Sequence, residues 1–172
     1  MRDYTADALA LQGEITELRH TLHSHPETGN DLPWTQQVVL DALAGLDLEV
    51  TTGTGSTSIT AVLRGGAAGA GERPVVLLRA DMDGLPVQEE TGWEFASQRA
   101  GHMHACGHDV HTSSLVGAAK LLHARRDELP GDVVFMFQPG EEIVTGAPIM
   151  IEEGVLDAAG RRADRAFGMH VF

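Results

Sequence analysis

The sequence has one cysteine, Cys106, among 172 residues. A lone thiol excludes an internal disulfide framework. Basic residues are scarce as well: 12 Lys+Arg stand against 25 Asp+Glu, giving a net charge of −13 and a pI near 4.9. That balance excludes a nucleic-acid partner, which needs clustered Lys and Arg to meet phosphates. Solvation is the plain reading of such an acidic surface. No run approaches the roughly 18 apolar residues of a membrane span, and the first thirty residues show no apolar leader core. The expected location is the cytoplasm. Internal repeats and low-complexity tails are also missing.

What is present is an ordinary globular composition, 42% hydrophobic and 22% charged. The length suits one domain with a real core. Histidine is in excess, with nine residues, and their placement carries more information than their number.

Leu11, Ile15, Leu18 and Leu22 recur at three- and four-residue steps, which predicts an amphipathic helix over 6–24. It should stop near His25-Pro26, because the residue before proline avoids helical geometry. A second helix is expected from Pro33, burying Val38, Val39, Leu43 and Leu46. Strands are predicted at 48–52 and 57–64 around the Gly53–Ser56 turn. Gly65–Arg73 reads as a surface loop, and its glycines do not match a dinucleotide-binding spacing. Pro74–Ala80 is a continuous apolar run of the kind covered on both faces of a sheet. A helix over 110–126, a buried strand over 132–138, a short helix near 146–153 and a last strand over 164–172 complete the order. Strands alternating with helices imply a layered α/β fold.

Polar residues of interest fall where buried strands end. Asp81 and Asp83 follow the third strand, Glu141 and Glu142 follow the fourth, and His170 lies in the last. Open α/β sheets collect ligands beyond the carboxyl ends of their strands, so these groups can converge. The run His102–His111 holds four histidines, Cys106 and Asp109, and leads into the 110–126 helix. Imidazole and thiolate are preferred ligands of zinc-like metals. A cysteine before a helix N-terminus is also expected to have a lowered thiol pKa. Glu141-Glu142 alone could be a solvated acidic turn. Beside cations, one carboxylate could bind metal while the other moves a proton.

Six motifs occur together: Leu18-Arg19-His20 with His23 and His25-Pro26-Glu27; Leu78-Arg79-Ala80-Asp81-Met82-Asp83-Gly84-Leu85-Pro86; Met103-His104-Ala105-Cys106-Gly107-His108-Asp109 with His111-Thr112; Phe137-Gln138-Pro139-Gly140-Glu141-Glu142; Met150-Ile151-Glu152 with Gly154-Val155-Leu156; and Phe167-Gly168-Met169-His170-Val171. In this order they resemble the dinuclear metallo-amidohydrolases of the aminoacylase and carboxypeptidase G type. The nearest branch is that of hippurate hydrolases, auxin-conjugate hydrolases and N-acyl-amino-acid amidohydrolases. The resemblance implies a layered α/β/α zinc-peptidase-like catalytic domain and two divalent ions, Zn or Mn, with Co or Ni also suited. It implies metal ligands at Cys106, His108, Glu142 and His170, with Cys106 standing where sister branches use a bridging Asp. It makes Glu141 the general base and acid, and Asp83 a carboxylate that orients the site. The ions would activate a water and polarise the scissile amide of an N-acyl amino acid. For His104 and His111, helix capping, packing and substrate contact all fit; His20, His23 and His25 are expected to serve structure. Ile143-Val144-Thr145 departs from the glycine-rich turn usual in the branch.

By the same resemblance, residues 1–172 form the N-terminal part of the catalytic domain, with the lid and a C-terminal segment lacking. Counting agrees, because two ions sharing a bridge want about five protein ligands and this chain offers four. The expectation is a fragment with weak or no turnover, exposing a sheet edge or apolar face that calls for cover by further chain or by a homo-oligomer. A dipeptidase or carboxypeptidase of the same family is the rival activity, and a non-catalytic metal-binding remnant is the rival class.

Overall fold

The computed structural model describes residues 4–68 and 73–171. Residues 69–72 of the expected loop, and Phe172 of the expected last strand, lie outside the described residues.

The 3.6-residue stripe of the first segment forms α1, Thr5–Ser24, and its Leu22 is fully buried with Ile15 and Leu18 against the core. Pro33 opens α2, Pro33–Leu43, as its fixed φ allows at a first turn. The strands are β1 (Glu49–Thr52), β2 (Ile59–Leu63), β3 (Val75–Asp81), β4 (Asp132–Gln138) and β5 (Arg165–Gly168). Between them come α3 (His108–Ala124) and α4 (Gly146–Glu152).

The sheet order is β1-β2-β4-β3-β5. β4 and β5 run parallel to β3, while β2 is antiparallel to both β1 and β4. β4 is the central strand, buried from Val133 to Gln138. Its alternation divides the core. Val133, Phe135 and Phe137 face α1, α2 and α3 with Leu32, Val39 and Val116; Val134 and Met136 face α4 with Val62, Leu77 and Met150. This is an α/β/α layering, as expected. Phe135 is wholly buried, and truncation of such a side chain to alanine costs about 3–5 kcal/mol.

Two sequence expectations move. Helix α3 starts at His108 rather than 110, because Gly107 adopts φ 78 and turns the chain one step earlier. His108, Asp109 and His111 therefore project from the first turn of a helix instead of a loop. His170 is not in the last strand. β5 ends at Gly168, and beyond it the Val171 amide donates to the His111 ring rather than to a neighbouring strand.

Candidate metal centre

Strands β4, β3 and β5 end side by side, so the segments leaving their carboxyl ends share one space. Asp83, beyond β3, is fully buried. Its carboxylate accepts the N–H of Glu141 at 3.0 Å and of Glu142 at 3.2 Å. Its backbone carbonyl accepts Nδ1–H of His108 at 2.7 Å. One residue on the β3 loop thus sets both the turn after β4 and the ring plane of His108.

With Nδ1 committed as donor, Nε2 of His108 carries the ring's lone pair. That nitrogen is buried with no hydrogen-bond partner, and so is Oε1 of Glu142. Asp81 Oδ2 lies 3.6 Å from Nε2, Glu142 Oε1 3.7 Å and Glu141 Oε2 3.8 Å. His108 Nε2 and Glu142 Oε1 face one another without a hydrogen-bond donor, which is costly inside a protein, and a cation would resolve that conflict. Cys106 Sγ and His170 Nε2 are 3.5 Å apart. Ligand atoms of Cys106, His108 and His170 lie within 4.8 Å of one another, as do those of His108, Glu141 and Glu142. Thiolate, imidazole and carboxylate together suit a zinc-like divalent ion, so the residues present fit the implied metal.

Asp81, His108 and His111 meet the same distance criterion, but His111 is already engaged. Its Nδ1–H donates to Asp81 Oδ1 at 2.6 Å, and its Nε2 accepts the Val171 N–H at 2.9 Å. Nothing on that ring is left for a metal.

The turn bearing the two glutamates is closed by Val144 N–H to Glu141 O and by Thr145 and Gly146 N–H to Gly140 O. Val144 sits at φ 58, the one positive φ of a non-glycine residue among those described, at a cost of about 1–2 kcal/mol. The Ile143–Thr145 departure in sequence is thus a strained turn beside the site, with Ile143 and Val144 exposed.

The Cys106 thiol reverses the expectation of a lowered pKa. Burial, then the hydrogen bond and charge of Glu142, then Glu141 and Asp81 push it up to about 11. Burial leads, and the three carboxylates add to it. Those same carboxylates would favour a cation.

The other histidines make different contacts. His23 is buried, with Nδ1 2.8 Å from Asp109 Oδ2 and Nε2 3.2 Å from Glu89 Oε1. Arg19 Nε donates to the same Asp109 oxygen at 2.7 Å. His20 stacks on Phe95, and His25 lies against Trp34. His104 is buried with neither nitrogen partnered, so it caps no helix; burial draws its pKa down to about 4, and the ring is neutral at pH 7. Residue-level reading missed the pairings of His23 and His111, because each joins positions distant in sequence. The carboxylates of Asp81 and Asp109 were the visible signal, without their partners.

Residues 77–172 match the family model described as Peptidase family M20/M25/M40. The chain is 42% identical to IAA-amino acid hydrolase ILR1-like 2 of Arabidopsis thaliana, over 91% of this chain and 34% of that protein. It is 41% identical to N-acetylcysteine deacetylase of Bacillus subtilis, covering 94% and 40%, and 39% identical to thermostable carboxypeptidase 1 of Saccharolobus solfataricus, covering 96% and 41%. Among solved structures, the Bacillus subtilis YXEP protein, described as a dinuclear metal binding peptidase from the M20 family, superposes with a TM-score of 0.86 at 40% identity, covering 95% of this chain and 44% of that one. The chain spans about a third to two-fifths of the length of these curated relatives. With more than half its residues matched by the family model and its nine-tenths coverage at about 40% identity, the chain belongs to peptidase family M20/M25/M40.

Proposed function

We propose that this chain supplies most of the metal centre of a hydrolase that cuts the amide bond of N-acyl amino acids or similar conjugates, as the N-terminal part of a longer catalytic domain. The observation that carries the reading is the buried, unpartnered pair His108 Nε2 and Glu142 Oε1, facing Glu141 and lying beside Cys106 and His170.

Cys106, His108, Glu142 and His170 would hold two divalent ions, with Zn or Mn favoured and Co or Ni suited to the same donors. When bound, the ions would supply Lewis-acid polarisation of the scissile carbonyl and a more acidic water. Glu141 has a side chain 40% exposed, open enough to meet solvent and substrate. It takes a proton from the attacking water and returns it to the departing amino nitrogen. Asp83 holds the Glu141 and Glu142 amides, so the base and the neighbouring ligand keep their spacing through the proton transfer.

Support for the substrate class comes from the relatives whose names specify an amino acid conjugate and N-acetylcysteine. The carboxypeptidase relative keeps peptide cleavage as the second reading. The test is amine release from N-acetylcysteine and N-benzoylglycine against simple dipeptides, with the metal-loaded chain and with the chain extended by the remainder of a full-length relative. The reading predicts a preference for the N-acyl amino acids and a loss of about 10²–10⁴-fold in turnover in Glu141→Gln. A preference for dipeptides would overturn the substrate assignment.

A further inference from the structure

We propose that His111 is a positioning residue that holds His170 at the metal centre, through a ring whose orientation and hydrogen-bonding pattern are fixed by Asp81. The proposal rests on the reading of His170 as a metal ligand and goes beyond it by assigning His111.

His170 is exposed and lies past the end of β5, where the ladder with β3 has stopped at Gly168. Strand pairing therefore does not fix its backbone. Besides the approach to Cys106, three contacts reach this segment. The Val171 N–H donates to His111 Nε2 at 2.9 Å. The His111 and His170 rings meet edge to face with centroids 4.7 Å apart. The Val171 side chain lies over Gly107, where an added Cβ would come within 2.6 Å of Val171 Cγ2. Two of these contacts come from His111.

The tautomer follows from the other nitrogen. His111 Nδ1–H donates to Asp81 Oδ1 at 2.6 Å, which leaves Nε2 as an acceptor. Asp81 is itself held: Arg79 donates to its Oδ2 at 2.6 Å, and the Thr112 hydroxyl donates to its backbone carbonyl at 2.7 Å. Asp81 and His111 are both buried. Reversing the tautomer would set an N–H against the Val171 N–H, so the carboxylate decides whether the His170 segment is held or released. A partner that orients a metal ligand typically contributes 10- to 100-fold in metal affinity.

The experiment has two arms. In metal-free protein, hydrogen exchange at the Val171 amide and the ¹⁵N shifts of the His111 ring report the clamp. Titration with Co²⁺, followed by the thiolate-to-cobalt band of Cys106, reports affinity in wild type, His111→Ala, His170→Ala and the double variant. The expected results are a protected Val171 amide and an Nδ1–H ring in wild type, both lost with Asp81→Asn. Cobalt affinity should fall about 10- to 100-fold in His111→Ala. The double variant should match His170→Ala alone, because both substitutions act through one ligand. Asp81→Asn stands in if His111→Ala does not fold, read by the Val171 amide and the His111 ring rather than by affinity, because Asp81 also lies 3.6 Å from His108 Nε2; a Val171 amide still protected in Asp81→Asn would then overturn the proposal. A loss in His170→Ala with wild-type affinity in His111→Ala overturns the proposal alone, and so do additive effects. Wild-type affinity in His170→Ala overturns the ligand assignment, and the proposal with it.

Discussion

Asp83 shows how much a single buried side chain can arrange. Its carboxylate accepts the amides of Glu141 and Glu142, and its carbonyl fixes the ring of His108. Replacement by alanine leaves two amide donors unmatched. Asp83→Ala should destabilise the metal-free protein by about 2–4 kcal/mol, measured by urea denaturation. Asp157→Ala, which removes only an exposed pair with Arg162, should change stability by about 1 kcal/mol or less. Equal effects would deny Asp83 its orienting role. At this scale the sequence was legible where chemistry is dense: the residues named as ligands, with Glu141 and Asp83, come together. It was silent on what His111 and His23 bind. Those partners lie on other elements, and no local periodicity encodes them.

Among the elements, α1 and α3 are joined by more than apolar contact. His23 on α1 lies between Asp109 on α3 and Glu89 on the loop beyond β3, and Arg19 reaches the same Asp109. Burial pulls the His23 pKa down, but Asp109 and then Glu89 overcome it, and the net shift is upward. For Asp109 and Glu89, burial is likewise overcome, by the His23 contact among others, and both shift downward. The raised histidine contributes stability that is complete below its unfolded value of about 6.5 and fades as pH rises through the folded value. The depressed acids contribute stability that is complete above about 4 and fades as pH falls through their folded values. Wild type should thus gain stability relative to His23→Gln between about pH 4.5 and 6.5 and lose part of that advantage by pH 9, measured by thermal melts across pH. A difference that stays flat with pH would show that folding does not shift the His23 pKa, and one that falls below about pH 6.5 would show that the buried ring stays neutral. The order of helices and strands was readable from hydrophobic period. The start of α3 was misjudged by two residues because the left-handed Gly107 was not recognised as the stop before the helix. The antiparallel pairing of β2 with β4 joins strands some seventy residues apart, and that distance leaves no trace in local pattern.

For the whole molecule, the sheet leaves β5 exposed along its length, with β3 as its partner among the described residues. Phe167 and Met169 are more than half exposed there. A strand edge beside apolar side chains invites pairing. Sedimentation should therefore show concentration-dependent association of this chain, reduced in Phe167→Lys. A monomer at all concentrations would mean that the edge protects itself. The layered architecture was legible because apolar runs and turn signals alternate cleanly. Which faces stay open was not, since that depends on sheet order.

The central claim is that the acidic, histidine-rich end of the parallel strands binds divalent metal. Elemental analysis of protein equilibrated with zinc or manganese tests it most directly, with Cys106→Ala and Glu142→Ala alongside. The account predicts about one to two equivalents per wild-type chain, as a site of four ligands allows, and a marked loss in both variants. A folded wild-type chain that retains no metal, or variants that retain as much as wild type, would contradict it.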